Sequence, residues 1–275
     1  MSEVYTLMDL PKGFREAGFL GVGVTNSIVS VRAENADWFK LAEDTNAALM
    51  RAAMAAASAV KSTSMSPEAV AVRVLLRSCG TLQGVILLTE RGMVAEGRTL
   101  ARGLIENAFC IAALLAAPAT FLEMLKEDSE ASRRQQGKFA LAEQLITAGA
   151  QRDRLQVAID AIDKKAEIMG PKKLAALGPL MRQYLFYQRL SDDAAHPSSK
   201  SLHRYMLTEA SHSGWKGYKS GAGDHGENAA TLHSAILAAL PIGVGITQML
   251  KDKNGNAEFA ELCDRFQAMP PVPPV

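Results

Sequence analysis

The chain of 275 residues is 48% hydrophobic but only 6% aromatic, and its 30 Lys and Arg against 29 Asp and Glu leave a net charge of +1. That length can bury a sizeable core, the composition is far from that of a disordered chain, and near-neutrality speaks against a general nucleic-acid coat or a polybasic membrane anchor. Three widely separated cysteines, Cys79, Cys110 and Cys263, speak against a disulfide framework, and abundant alanine with few β-branched runs points away from an all-β protein.

In chain order, residues 1–30 hold the glycine-bearing stretch 18–23 and read as an irregular lead-in, with no basic and apolar leader of the secretory kind. Trp38, Leu41, Leu49, Met54 and Val60 recur at helical spacing, which predicts a helix over 37–61. Ser66-Pro67-Glu68 is a helix start: an N-cap hydroxyl, proline at the first helical position and an acid at the positive dipole end. The run 70–91 follows, and Gly92 ends or bends it. A second apolar helix, 94–117, stops before Pro118. Thr120 and Glu123 have capping-box spacing and open a polar helix reaching residue 147, whose charged middle, 130–138, is a solvated face.

Leu155, Ile159 and Ile162 predict a helix over 152–169, and Gly170-Pro171 and Gly178-Pro179 lead into another over 180–195. Residues 211–226 are the least regular part, rich in Gly and Ser. Helices over 227–251 and 257–268 close the fold, and 269–275 is a short proline-rich tail. The stretch 228–250 is uncharged and long enough to cross a bilayer, but its alanine, glycine and polar residues favour a buried core helix in a cytoplasmic protein without a membrane. The expectation is an all-α fold: one domain over 31–268, a single bundle of seven to nine helices with a Gly/Ser/His-rich insertion near residue 215.

Two constellations carry chemistry. In Tyr187-Gln-Arg189-Leu-Ser191-Asp192-Asp193-Ala-Ala-His196-Pro197-Ser198, proline restricts His196, so the helix ends there. Arg189 precedes His196 by seven residues, almost two turns, and shares its face if the helix persists. An imidazole that takes a proton from a ribose 2′-hydroxyl, with a guanidinium on the phosphorus oxygens, suits phosphodiester cleavage. The plainer reading is a helix C-terminus, with Arg189 paired to Asp192 or Asp193. The second constellation is Arg98, Arg102 and Glu106, four apart in an otherwise apolar helix. It is either an intrahelical ion pair that fixes packing or a site that sets Glu106 against His196 or a ligand.

The pair Arg102-Gly-Leu-Ile-Glu106 and Ser191-x4-His196-Pro197-Ser198 resembles a bacterial family of helical proteins of unknown function, over roughly residues 70–240. More loosely, Arg189-x6-His196 is similar to the signature of HEPN domains (higher eukaryote and prokaryote nucleotide-binding). That resemblance implies a metal-independent ribonuclease in a toxin or phage-defence role, with an active site formed across a homodimer and a toxin, antitoxin or defence protein as partner. It makes His196 and Arg189 catalytic with Ser191 or Asp192 as helper, beside candidate binding residues Arg98, Arg102, Glu106 and Tyr187. At a net charge of +1, RNA could be held only by a local cluster such as Arg182, Arg189 and Lys200. The alternatives are a non-catalytic binding or regulatory module and a small-molecule enzyme using the Arg/Glu stripe.

No cofactor or metal is expected. Gly221-Ala-Gly223-Asp-His-Gly226 spells a dinucleotide fingerprint but lacks the preceding strand and the following acid. All five histidines lie in the last third, yet Glu209-Ala-Ser-His212 has no second pair and no cysteines sit at zinc spacing.

Overall fold

A computed structural model describes residues 10, 12–146, 149–208 and 214–273. The lead-in is more ordered than its glycines suggest: α1 (Lys12–Ala17) and α2 (Val24–Glu34) occupy it. α1 has no buried residue, so no apolar periodicity marks it. Asn35 then turns the chain into α3 (Ala36–Ala59). α4 (Pro67–Glu90) starts as its sequence dictates, the Ser66 hydroxyl accepting the Ala69 N–H at 3.2 Å.

Gly92, at φ +76°, ends α4 and lets α5 (Val94–Ala116) reverse direction. A Cβ there would lie 2.3 Å from that of Ala222, and the Gly92 carbonyl accepts the Gly223 N–H at 2.9 Å. The turn thereby holds the loop before the last long helix. α6 (Pro118–Ala142) begins at Pro118, not at the expected Thr120 box: proline takes the first helical position, and Thr120 falls inside the first turn.

α7 (Ala150–Asp160) stops nine residues short of the predicted 169. Arg134 on α6 binds the carbonyls of Asp163 and Ala166, and Asp128 accepts the Met169 N–H at 2.7 Å. These bonds lay the segment along α6 instead of winding it.

α8 (Pro171–Leu177) and α9 (Tyr184–Leu190) follow, and α9 continues as one π-helical turn over Ser191–Ala195. His196 is extended (φ −131°, ψ 150°), as its proline neighbour requires. α10 (Ser199–His203) is opened by a Ser198/Ser201 capping box. The insertion forms a small antiparallel ladder, β1 (Met206–Thr208) against β2 (Trp215–Tyr218), with Met206 opposite Tyr218. Glu209 and His212 lie outside the described residues. α11 (His225–Leu250), capped by Asp224 and Glu227, and α12 (Lys253–Ala268) complete the chain.

The fold is all-α, 77% helical, and the 12 α-helices among the described residues exceed the expected seven to nine because short helices fill the lead-in and the stretch after Gly170. α11 is the hub, packing on α3, α4, α5 and α12. Its small residues set that closeness: a Cβ on Gly243 would lie 2.1 Å from the Phe259 ring of α12. α4, α5 and α11 are each long and apolar enough to cross a membrane by length and composition.

Candidate functional site

α5 carries its polar stripe toward α9 and the π turn, so the two sequence signatures meet in space. At the inner end, Arg98 is 5% exposed and donates to Asp193 Oδ2 at 2.6 Å and to Thr231 Oγ1 of α11 at 3.2 Å. Thr231 spends its own proton on the Glu227 carbonyl, which leaves its oxygen free to accept. Arg204 donates to the same Asp193 oxygen at 3.1 Å and pairs with Glu227, while Lys200 stands 4.0 Å from the other oxygen. Burial raises the Asp193 pKa, but the hydrogen bond and charge of Arg98, with Arg204 and Lys200, outweigh it and hold the carboxyl below its ordinary value.

One turn on, Arg102 donates through Nε to Ser191 Oγ at 2.7 Å and through Nη2 to the Tyr187 hydroxyl, with Glu106 at 3.5 Å. Its guanidinium carbon lies 4.5 Å from the Tyr187 ring centroid. Ser191 relays its proton to the Tyr187 carbonyl at 2.9 Å. Burial first, then the Glu106 carboxylate, raises the Tyr187 pKa, so the phenol stays protonated. Glu106 is thus set against Arg102 and Tyr187, with no contact to His196 among the described residues.

Arg102, Glu106 and Tyr187 line a groove of about 1070 Å³ between α4, α5, α6 and α8. Val70, Phe121 and Leu174 give it an apolar floor, and Arg73, Arg77 and Arg133 add positive charge. Asn107 also lines it: the residue is 3% exposed, and its Nδ2 has no hydrogen-bond partner among the described residues. Cys110 beside it is pushed up to about 12, chiefly by burial and then by Glu106, against the opposing charge of Arg77, so its thiol is unreactive at neutral pH.

The helix end is organised differently. Ser198 donates to the Asp192 carbonyl, Ser201 to that of His196 at 2.8 Å, and Thr99 of α5 to that of Ala194 at 3.3 Å. Ser198 of the signature, with Ser201 and Thr99 outside it, thus satisfies carbonyls that a π turn leaves open. The His196 ring and Asp192 are exposed, and Arg189 is half-buried. Five π-wound residues turn the chain less per residue than an α-helix does, so Arg189 and His196 leave the shared face that an unbroken helix would give them. No hydrogen bond or ion pair joins them among the described residues. Arg189 also does not pair with Asp193, which is occupied by Arg98 and Arg204.

Sequence reasoning missed Arg204 and Glu227 and offered Asp193 only as a partner of Arg189, because the residues that hold it are distant in the chain. It also passed over Arg73 and Arg77, although their four-residue spacing on α4 was visible. Among the described residues no three His, Cys, Asp or Glu side chains gather as a metal site.

An all-helical bundle with a basic, apolar-floored groove is therefore the class of protein that fold and site define. Residues 68–213, just over half of the chain, match the family of unknown function DUF5677, and the chain belongs to that family. The matched segment contains both signatures and most of the groove. No curated protein and no solved structure matches the chain.

Proposed function

We propose that the protein is a non-catalytic binding module whose ligand, a small anionic molecule with an apolar body, sits in the groove beside Arg102, Glu106 and Tyr187. The observation that carries this reading is Asn107. A buried amide donor left without an acceptor costs about 1–3 kcal/mol, and an acceptor on a bound ligand removes that cost. The groove volume suits a drug-sized molecule, and an apolar floor with a few fixed polar groups is the usual make-up of such sites. Arg102 is held by Ser191 and Tyr187, so it needs little reordering on binding.

Replacing Asn107 by leucine separates binding from structure. The variant should be as stable as the parent or about 1 kcal/mol more stable in urea, because an unsatisfied donor is gone. Native mass spectrometry should at the same time show loss of any small molecule that co-purifies with the parent. Clear destabilisation would make Asn107 a structural residue and remove the main support for the groove.

Metal-independent RNA cleavage by His196 and Arg189 stays as a second reading because the His196 ring is open to solvent. It carries with it a homodimeric site and a toxin, antitoxin or defence partner. RNA cleavage or growth arrest that disappears in His196→Ala, with melting temperature held within a few degrees, would favour it over the groove.

A further inference from the structure

We infer that the groove's ligand is a phosphate monoester on an apolar body rather than a carboxylate, an inference that rests on the groove reading above. The argument is one of charge and shape. Of the cations lining the groove, Arg102 is answered by Glu106 and Lys126 by Glu123. Arg73, Arg77 and Arg133 form no ion pair among the described residues, and Asp128 is the one further acid on the lining. Two positive charges are left unanswered. A carboxylate supplies one negative charge, whereas a phosphate monoester carries about −1.5 to −2 at neutral pH and offers three acceptor oxygens.

Arg73 already donates Nε and Nη2 to the Ala69 and Ser64 carbonyls, and Arg133 donates Nε to that of Ser129. The donors left for a ligand are therefore Arg77 and the remaining N–H groups of the other two. Arg73 and Arg77 are four residues apart on one face of α4, and Arg133 reaches the groove from α6 across from them. Guanidinium groups on facing helices bind a phosphate through several charge-assisted hydrogen bonds. The rest of the groove makes the ligand more than inorganic phosphate. Phe121, Leu174 and Val70 line it as apolar wall, and the orphaned Asn107 amide requires an acceptor of its own. Glu106, held by Arg102 and Tyr187, accepts from a hydroxyl or amine on the same body. A nucleotide and a prenyl or lipid phosphate share this chemistry.

Calorimetric titration of the full chain with adenosine 5′-monophosphate, geranyl phosphate, adenosine, geraniol and decanoate tests the inference and distinguishes the two sources. At least one phosphate should bind at least about tenfold more tightly than its parent alcohol and than decanoate. Arg77→Gln, an exposed substitution, should weaken that phosphate about tenfold and leave the alcohol unchanged. Decanoate binding as tightly as both phosphates would overturn the phosphate assignment and leave the groove reading standing. Failure of all five probes would overturn the phosphate assignment, and the groove reading would fall with it if Asn107→Leu also proved destabilising.

Discussion

Arg98 and Arg102 are one turn apart on the same helix, and each reaches the same neighbouring segment, yet they do different work. Arg98 is buried, and its carboxylate partner is shared with a second arginine and a lysine. Arg102 is half-buried, holds a serine and a phenol, and borders open volume. The first is a fastening between α5, the π turn and α11. The second has its orientation fixed by protein groups while its surroundings are unfinished. Burial and saturation, not residue type, separate a structural arginine from one available to a ligand.

The largest effect that would break this comparison lies at Asp193. Asp193→Ala leaves Arg98 and Arg204 buried without their shared counter-charge and should cost about 3–5 kcal/mol in urea unfolding. A loss near that of the groove variants would mean that the two arginines are equivalent. Next is acid. The folded Asp193 pKa is below its ordinary value, so its contribution is fully present above about pH 4 and is lost as pH falls through the folded pKa. The urea midpoint should therefore drop on acidification below about pH 4, and Asp193→Asn should flatten that part of the profile.

Ser191→Ala should cost about 1 kcal/mol, since Arg102 keeps Tyr187 and Glu106. Its sharper consequence should be weaker ligand binding, as the guanidinium loses its Nε anchor. Smallest are Arg189→Ala and His196→Ala, each expected within about 0.5 kcal/mol of the parent because neither side chain has an ion pair or hydrogen bond among the described residues. A loss above about 2 kcal/mol at His196 would show that its ring holds the helix end.

The long helices were legible because their apolar residues keep helical spacing and Ser66, Pro67 and Gly92 mark ends by local chemistry. The fate of residues 161–170 was not, since it depends on Arg134, some thirty residues away. The π turn was equally hidden. Its residues are ordinary helix neighbours, and it exists because Asp193 is drawn to Arg98 and the carbonyls of Asp192, Ala194 and His196 find hydroxyl donors. The Arg102 stripe was visible as four-residue spacing, but whether it faced a partner or a groove depended on α6 and α9. Asn107 gave no pattern at all: a lone amide becomes informative only when its neighbours are known.

The hub position of α11 has a consequence for biosynthesis. The family segment ends at residue 213, whereas α11 begins at His225 and covers apolar faces of α3, α4 and α5. What is recognised as a unit in sequence is therefore not a unit of folding. During translation α4 and α5 leave the ribosome with those faces uncovered, and the bundle closes only when residues near 250 have emerged. A polypeptide of residues 68–213 alone would present the same uncovered faces permanently, and aggregation should dominate its behaviour.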